Sequence, residues 1–237
     1  MADIDITHGT AIPATAASAE RVAAFLRAAY GWMCAGLTIT AVTAWYVASS
    51  PTILVTIARS GPLYLGLILA QLGIVFVLSA RVHKLSAPTA SWLFIGYSVL
   101  TGVTLSFVML LYTGETLAST FVVAAGMFGS MALYGTVTRS SLAGWRQFLF
   151  MGLVGVVIAS LVGIFWQNDA VQFVTAFIGV IVFTGLAAYD AQRLKAMALM
   201  TSAGSTGSYA IVGALTLYLD FVNLFLMLLR LLGGRRR

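Results

Sequence analysis

The sequence predicts an all-α fold, a polytopic integral membrane protein built as a bundle of seven transmembrane helices. Three observations carry this reading. Hydrophobic residues fill 60% of the 237 positions and charged residues only 8%, with a mean hydropathy of +0.99, whereas a soluble domain carries about 25% charged residues. Apolar stretches follow one another almost end to end, each close to the roughly 20 residues that a helix needs to cross a bilayer. These runs lack two-residue alternation and are about twice as long as a barrel strand requires.

Residues 1 to about 19 are polar and small, with Asp3, Asp5, His8 and Pro13. They have neither the charged start nor the early apolar core of a secretory signal, and are expected to be a disordered tail. Residues 20–27 form a short amphipathic lead-in, so the tail is assigned to 1–27 and the membrane domain to 28–232. The first span is predicted over 28–49, ending before Ser50-Pro51. Later spans are predicted over 63–80, 89–112, 117–137, 147–166, 171–192 and 208–232. Residues 201–208, rich in Ser, Thr and Gly, read as a flexible loop, and 233–237 as a basic tail. Gly126 and Gly129, Gly152 and Gly155, and Gly179 and Gly185 are spaced so that some share a helix face, and they are read as close helix contacts.

The net charge of +6, from 13 basic and 7 acidic residues, does not point to nucleic acid. Basic residues sit singly or in pairs between apolar runs, where they orient helices and meet lipid headgroups. Arg81 and Lys84, Arg139 and Arg146, and Arg193 and Lys195 fall in the even loops, and Arg21 and Arg27 precede the first span. The odd loops offer Arg59, with Glu115 and Asp169. The positive-inside rule then places the N-terminus and the even loops in the cytoplasm. Arg235, Arg236 and Arg237 resist this assignment: either the earlier loops outweigh them, or the last helix dips in and returns. Cys34 is the one cysteine, so no intrachain disulfide forms, and between Met33 and Ala35 it is expected to pack in the core.

Acidic side chains are scarce, which shortens the search for chemistry. Asp3, Asp5 and Glu20 precede the membrane, and Glu115 and Asp169 occupy loops, leaving Asp190 and Asp220 within spans. An ionised Asp at the centre of a membrane helix costs roughly 2.5 to 3.5 kcal/mol on insertion scales, so it normally has a partner or a task. Consecutive helices joined by a short loop are antiparallel neighbours, which favours a meeting of the two. Depth opposes it: Asp190 enters from the cytoplasmic end, while Asp220 lies roughly 18 Å up the next helix at 1.5 Å per residue. They meet only if the sixth helix dips deep or the loop residues extend the seventh. Two carboxylates a few ångströms apart in low dielectric cannot both ionise freely, and such a pair acts as a proton switch. Deprotonated, it is a hard oxygen site for Ca²⁺, with Asn223 one turn from Asp220 as a further ligand. Otherwise each Asp is structural, neutralised by an arginine or a backbone group; Arg81 is the candidate counter-ion. The histidines, His8 and His83, lie in the tail and a loop, which excludes an intramembrane Ser-His pair. No lysine lies in the seventh span to form a Schiff base, and phosphate-cradling Gly loops are absent.

At the last two spans the sequence resembles the Bax inhibitor-1 family. The residues that carry the resemblance are Phe183-Thr184-Gly185-Leu186, Tyr189-Asp190-Ala191-Gln192, Gly213-Ala214-Leu215, and the string from Leu217 through Asp220 and Asn223 to Phe225. Gly102, Leu105-Ser106 and Leu78-Ser79-Ala80-Arg81 are weaker echoes. Ala187 and Ala191 depart from the family, standing where it usually has hydroxyl residues. The resemblance implies a seven-helix fold with the last helix central, in a bacterial inner membrane. It also implies a pH-sensitive Ca²⁺ leak governed by two aspartates, matching Asp190 and Asp220, with a basic latch matching Arg81. No cofactor and no enzymatic activity are implied. Bacterial relatives are also linked to restraint of a membrane-bound AAA protease, which makes a non-conducting, partner-binding role the alternative. Intramembrane aspartyl proteases share part of the pattern: Tyr189-Asp190 fits their sixth helix, but Tyr218-Leu219 before Asp220 lacks both glycines of their seventh.

Overall fold

The computed structural model describes residues 16–166, 168–201 and 206–233, and among these no strand occurs. The helices in chain order are α1 (Ala16–Ala48), α2 (Pro51–Arg59), α3 (Gly61–Ala80), α4 (Ala87–Leu111), α5 (Gly114–Val137), α6 (Arg146–Phe165), α7 (Asp169–Met200) and α8 (Thr206–Leu232). All but α2 are long and apolar enough to cross a membrane. The chain is therefore a seven-span helical membrane protein. Its outer surface agrees, since exposed large apolar side chains, Phe76 at 73% and Trp92 at 74% among them, occur on every span, an extended apolar surface that suits contact with lipid.

Local sequence explains where the spans begin. Ser86 caps α4 by accepting a hydrogen bond from the Thr89 N–H, Thr113 caps α5 through the Thr116 N–H, and Asn168 Oδ1 caps α7 through Ala170 and Val171. Each supplies an acceptor to N–H groups that the first helical turn leaves unpaired. Pro51 and Pro62 stand at the starts of α2 and α3, where a missing N–H costs nothing.

α8 is the hub. In its most apolar stretch 67% of residues are buried, against 6% in α3 and 11% in α6, and it packs on α7, α1, α5 and α4. Tyr218, Leu217, Leu224 and Ala214 are fully enclosed there. α3 packs chiefly on α4, and α6 on α7.

Four details differ from the sequence reading. The lead-in and the first span form one continuous helix from Ala16, because the alanine-rich segment favours helix and Phe25, Ala29 and Met33 form a buried stripe along it. Residues 1–15 of the expected tail, residues 202–205 of the expected loop and residues 234–237 of the basic tail lie outside the described residues. The first loop contains the amphipathic α2, which buries Leu54 and Ile57 against Leu67, Val103 and Phe107. Cys34 is exposed on α1 rather than packed in the core. Of the paired glycines, Gly152, Gly179 and Gly185 do meet neighbouring side chains, whereas Gly126, Gly129 and Gly155 face open space. The tightest contact is one the spacing did not suggest: a Cβ on Gly135 of α5 would lie 2.0 Å from the Ala188 carbonyl oxygen of α7.

Candidate functional site

Asp190 sits on α7 and Asp220 on α8, at 5% and 6% exposure. Their side chains are near neighbours, each carboxyl within electrostatic reach of the other. Carboxylates only accept, so a hydrogen bond between them requires that one proton be held by the pair. Arg193, three residues along α7, places Nη1 3.6 Å from Asp190 Oδ1, and its side chain is 59% exposed. Asp220 Oδ2 is buried with no hydrogen-bond partner among the described residues. The site is thus asymmetric: one carboxyl reaches a half-solvated guanidinium and the other is sealed.

The geometry around Asp190 is held by contacts on α7 itself. The Gly135 approach to Ala188 brings α5 and α7 together backbone to backbone. Below it, Lys195 Nζ donates to the Thr136 carbonyl oxygen at 2.7 Å, satisfying an acceptor that the last turn of α5 leaves open. Gln192 spans the connection between α5 and α6, accepting from the Leu142 N–H at 2.8 Å and donating to the Ser140 carbonyl oxygen at 2.9 Å.

Asp220 is held from the other side of α8. Tyr218 is fully buried, with Phe94 and Tyr97 edge-on to its ring. Its hydroxyl lies 2.6 Å from Thr40 Oγ1, and Thr40 donates to the Ser98 carbonyl oxygen at 2.9 Å. Thr40 has a single proton, already directed at Ser98, so the Tyr218 hydroxyl is the donor between them. This network ties α8 to α1 and α4 two residues before Asp220.

The remaining candidates are placed differently. Arg81 caps the end of α3, is exposed, and forms no ion pair among the described residues. In this arrangement the guanidinium at the pair is that of Arg193, a residue read from sequence as a topology charge, although its i+3 spacing from Asp190 was the available signal. Asn223 lies one turn beyond Asp220, its amide nitrogen donating to the Leu219 carbonyl oxygen at 2.8 Å. No group of three or more His, Cys, Asp or Glu converges among the described residues. Two carboxylates supply at most four oxygens, whereas Ca²⁺ takes six to eight, so a resident Ca²⁺ would need waters or carbonyls for the rest.

Comparison with known proteins decides the family. The family model described as inhibitor of apoptosis-promoting Bax1 matches residues 22–237. The chain belongs to the Bax inhibitor-1 family. Among its relatives is the inner membrane protein YbhL of Escherichia coli K12, 50% identical over 215 residues, or 90% of this chain and 92% of the relative. An uncharacterised protein of Borreliella burgdorferi is 42% identical, covering 90% of this chain and 92% of its own. One from Caulobacter vibrioides is 35% identical over the full length of both. As the resemblance read from sequence implies, the helix that carries Asp220 is central.

Proposed function

We propose that this protein is a proton-regulated Ca²⁺ leak pathway of a bacterial inner membrane, with Asp190 and Asp220 as its pH-sensing and ion-binding groups. The observation that supports this reading best is the proximity of two carboxyl groups inside the bundle, one of them sealed from solvent with an unpartnered oxygen. Holding one proton, the pair carries a single negative charge and binds α7 to α8. Losing it leaves two like charges that repel across the same helix contact and present hard oxygens to a divalent cation. Because the coordination is incomplete, it suits transit of the ion rather than storage. The name of the Escherichia coli relative supports the inner-membrane assignment. The latch reading has Arg81 pairing with Asp220 in a closed state, which requires α3 to move from its position here.

The test is Ca²⁺ flux into protease-free liposomes holding the purified protein, followed across pH. Wild type should conduct with a pH-dependent rate, and Asp190→Asn and Asp220→Asn should each flatten that dependence. The double variant should do little more than either single, because the two carboxyls titrate as one unit. The sign of the wild-type response reports whether loss of the cation site or loss of helix repulsion dominates. Retention of the wild-type profile in both single variants would reduce the aspartates to structural groups. Absence of flux at every pH would favour a non-conducting, partner-binding role. A paired carboxyl site also suits aspartyl proteolysis, and cleavage of a membrane reporter that both Asn variants abolish would replace the leak reading.

A further inference from the structure

A cavity of about 1090 Å³ opens at the end of the bundle where α7 begins and α8 ends. That is near the upper end of the roughly 300–1,000 Å³ typical of ligand pockets. It lies between α3 and α6, which pack on α4 and α7 respectively and stand apart here. Leu105, Val108 and Ile68 line it on one side and Leu226 on another, which gives an acyl chain apolar contacts beside a Gln71 amide already turned to Leu100 and Thr104. Its wall is also lipid-facing: Ile68 is 37% and Phe173 58% exposed.

Two charged groups open into it. Asp169 opens α7 and Arg230 stands in the last turn of α8; both line the cavity, and they form no ion pair with each other. Each charge suits its helix end, since anions are favoured at N-termini and cations at C-termini. Neither helix end requires that both charges open into one cavity.

We infer that this cavity is a specific site for one zwitterionic phospholipid with a primary ammonium, of the phosphatidylethanolamine class. Arg230 takes the phosphate, Asp169 takes the ammonium, and an acyl chain fills the space between α3 and α6. Charge complementarity selects this occupant. An anionic phosphatidylglycerol leaves Asp169 facing a phosphate, and the quaternary ammonium of phosphatidylcholine has no N–H to give the carboxylate. The assignment is independent of the leak reading, because it lies at the opposite end of α7 from Arg193 and uses neither aspartate of the pair.

The experiment is native mass spectrometry of the full-length protein released from detergent after equilibration with equal amounts of the three lipids, matched in acyl chains. Phosphatidylethanolamine should be retained as a single copy in preference to both others. Arg230→Gln and Asp169→Asn should each lower its retention roughly tenfold, the weight of a hydrogen bond to a charged group. Asp169→Asn should also narrow the preference over phosphatidylglycerol. Both side chains are at the protein surface, so folding is preserved, and Val108→Trp, which fills the chain region, should lower retention of all three lipids. Equal retention of the lipids, a preference for phosphatidylglycerol, or wild-type selectivity in both charge variants would overturn the assignment.

Discussion

Replacement of Gly135 by alanine tests whether the α5–α7 contact positions Asp190. The added Cβ would stand 2.0 Å from the Ala188 carbonyl oxygen, 2.8 Å from its carbon and 2.9 Å from its Cα. Carbon approaches a carbonyl oxygen to about 3.3 Å across ordinary helix interfaces, so the two helices must part by roughly 1.3 Å. Both sides of the contact are backbone, and no rotamer change relieves it. Overpacking of this kind costs about 1–3 kcal/mol. The same movement stretches the Lys195 to Thr136 bond, worth about 0.5–1.5 kcal/mol. Alanine returns about 1 kcal/mol through its better helix propensity, leaving a net loss of about 0.5–3.5 kcal/mol. Gly126→Ala on the same helix is the internal control, because nothing lies within 4 Å of its Cβ; it should be neutral or stabilising by up to about 1 kcal/mol. Equilibrium unfolding of the two variants in the same detergent decides the matter. If Gly135→Ala is as stable as Gly126→Ala, the close approach carries no constraint and the argument for a rigid α5–α7 frame fails. If the frame is real, Gly135→Ala should also disturb the pH response of the Asp190–Asp220 pair without touching either carboxyl.

Two further outcomes follow from the same geometry. Tyr218→Phe removes the hydroxyl that donates to Thr40 but leaves Thr40 bonded to Ser98, so detergent unfolding should show a loss of about 0.5–1.5 kcal/mol; an unchanged or raised stability would show that this bond does not help tie α8 to α1. For topology, cysteines introduced singly as Ala203→Cys and Arg237→Cys in a Cys34→Ala background should react with an impermeant reagent only from the cytoplasmic side and only from the opposite side, respectively. The reverse pattern would overturn the positive-inside reading.

The spans, and the two acidic candidates within them, were legible in the sequence for simple reasons. Twenty-residue apolar runs have few alternative fates, and with acidic residues so scarce the two carboxyls within spans identified themselves. Which way a side chain faces was not legible. In a soluble helix the apolar stripe marks the core, but lipid is as apolar as leucine, so a membrane helix can be hydrophobic on every face. That is why Cys34 was assigned to the core and lies outside it, and why Gly126 and Gly129 were read as contacts and face open space. Gly135 differs only in what opposes it, a property of α7 that no spacing on α5 records. α2 was missed because its nine residues sit inside a loop between two spans, too short to announce themselves by length.

The depth mismatch between Asp190 and Asp220 is the instructive case. Measured from the predicted span ends, Asp220 stands roughly 18 Å up its helix and Asp190 roughly 3 Å up its own, about 15 Å apart along the membrane normal. In the structure α7 continues to Met200, ten residues past Asp190, and α8 begins at Thr206, fourteen residues before Asp220. At 1.5 Å per residue these are about 15 and 21 Å from the shared connection, a difference of about one helical turn, which side chains and a modest tilt can close. The sixth span ends near residue 192 because hydropathy falls there, but the Ala, Leu, Gln, Arg and Lys around and after Asp190 are expected to keep the helix going, and it does continue to Met200. Hydropathy marks where the bilayer stops. It does not mark where the helix stops, and here the meeting of the carboxyls depends on the helix that runs beyond the membrane, held there by the bonds of Gln192 and Lys195 to α5 and its following loop. The polar end of α7 thus adds to the frame that sets the height of Asp190 against Asp220, alongside Ala191 and Leu194, which are buried in the core just beyond it.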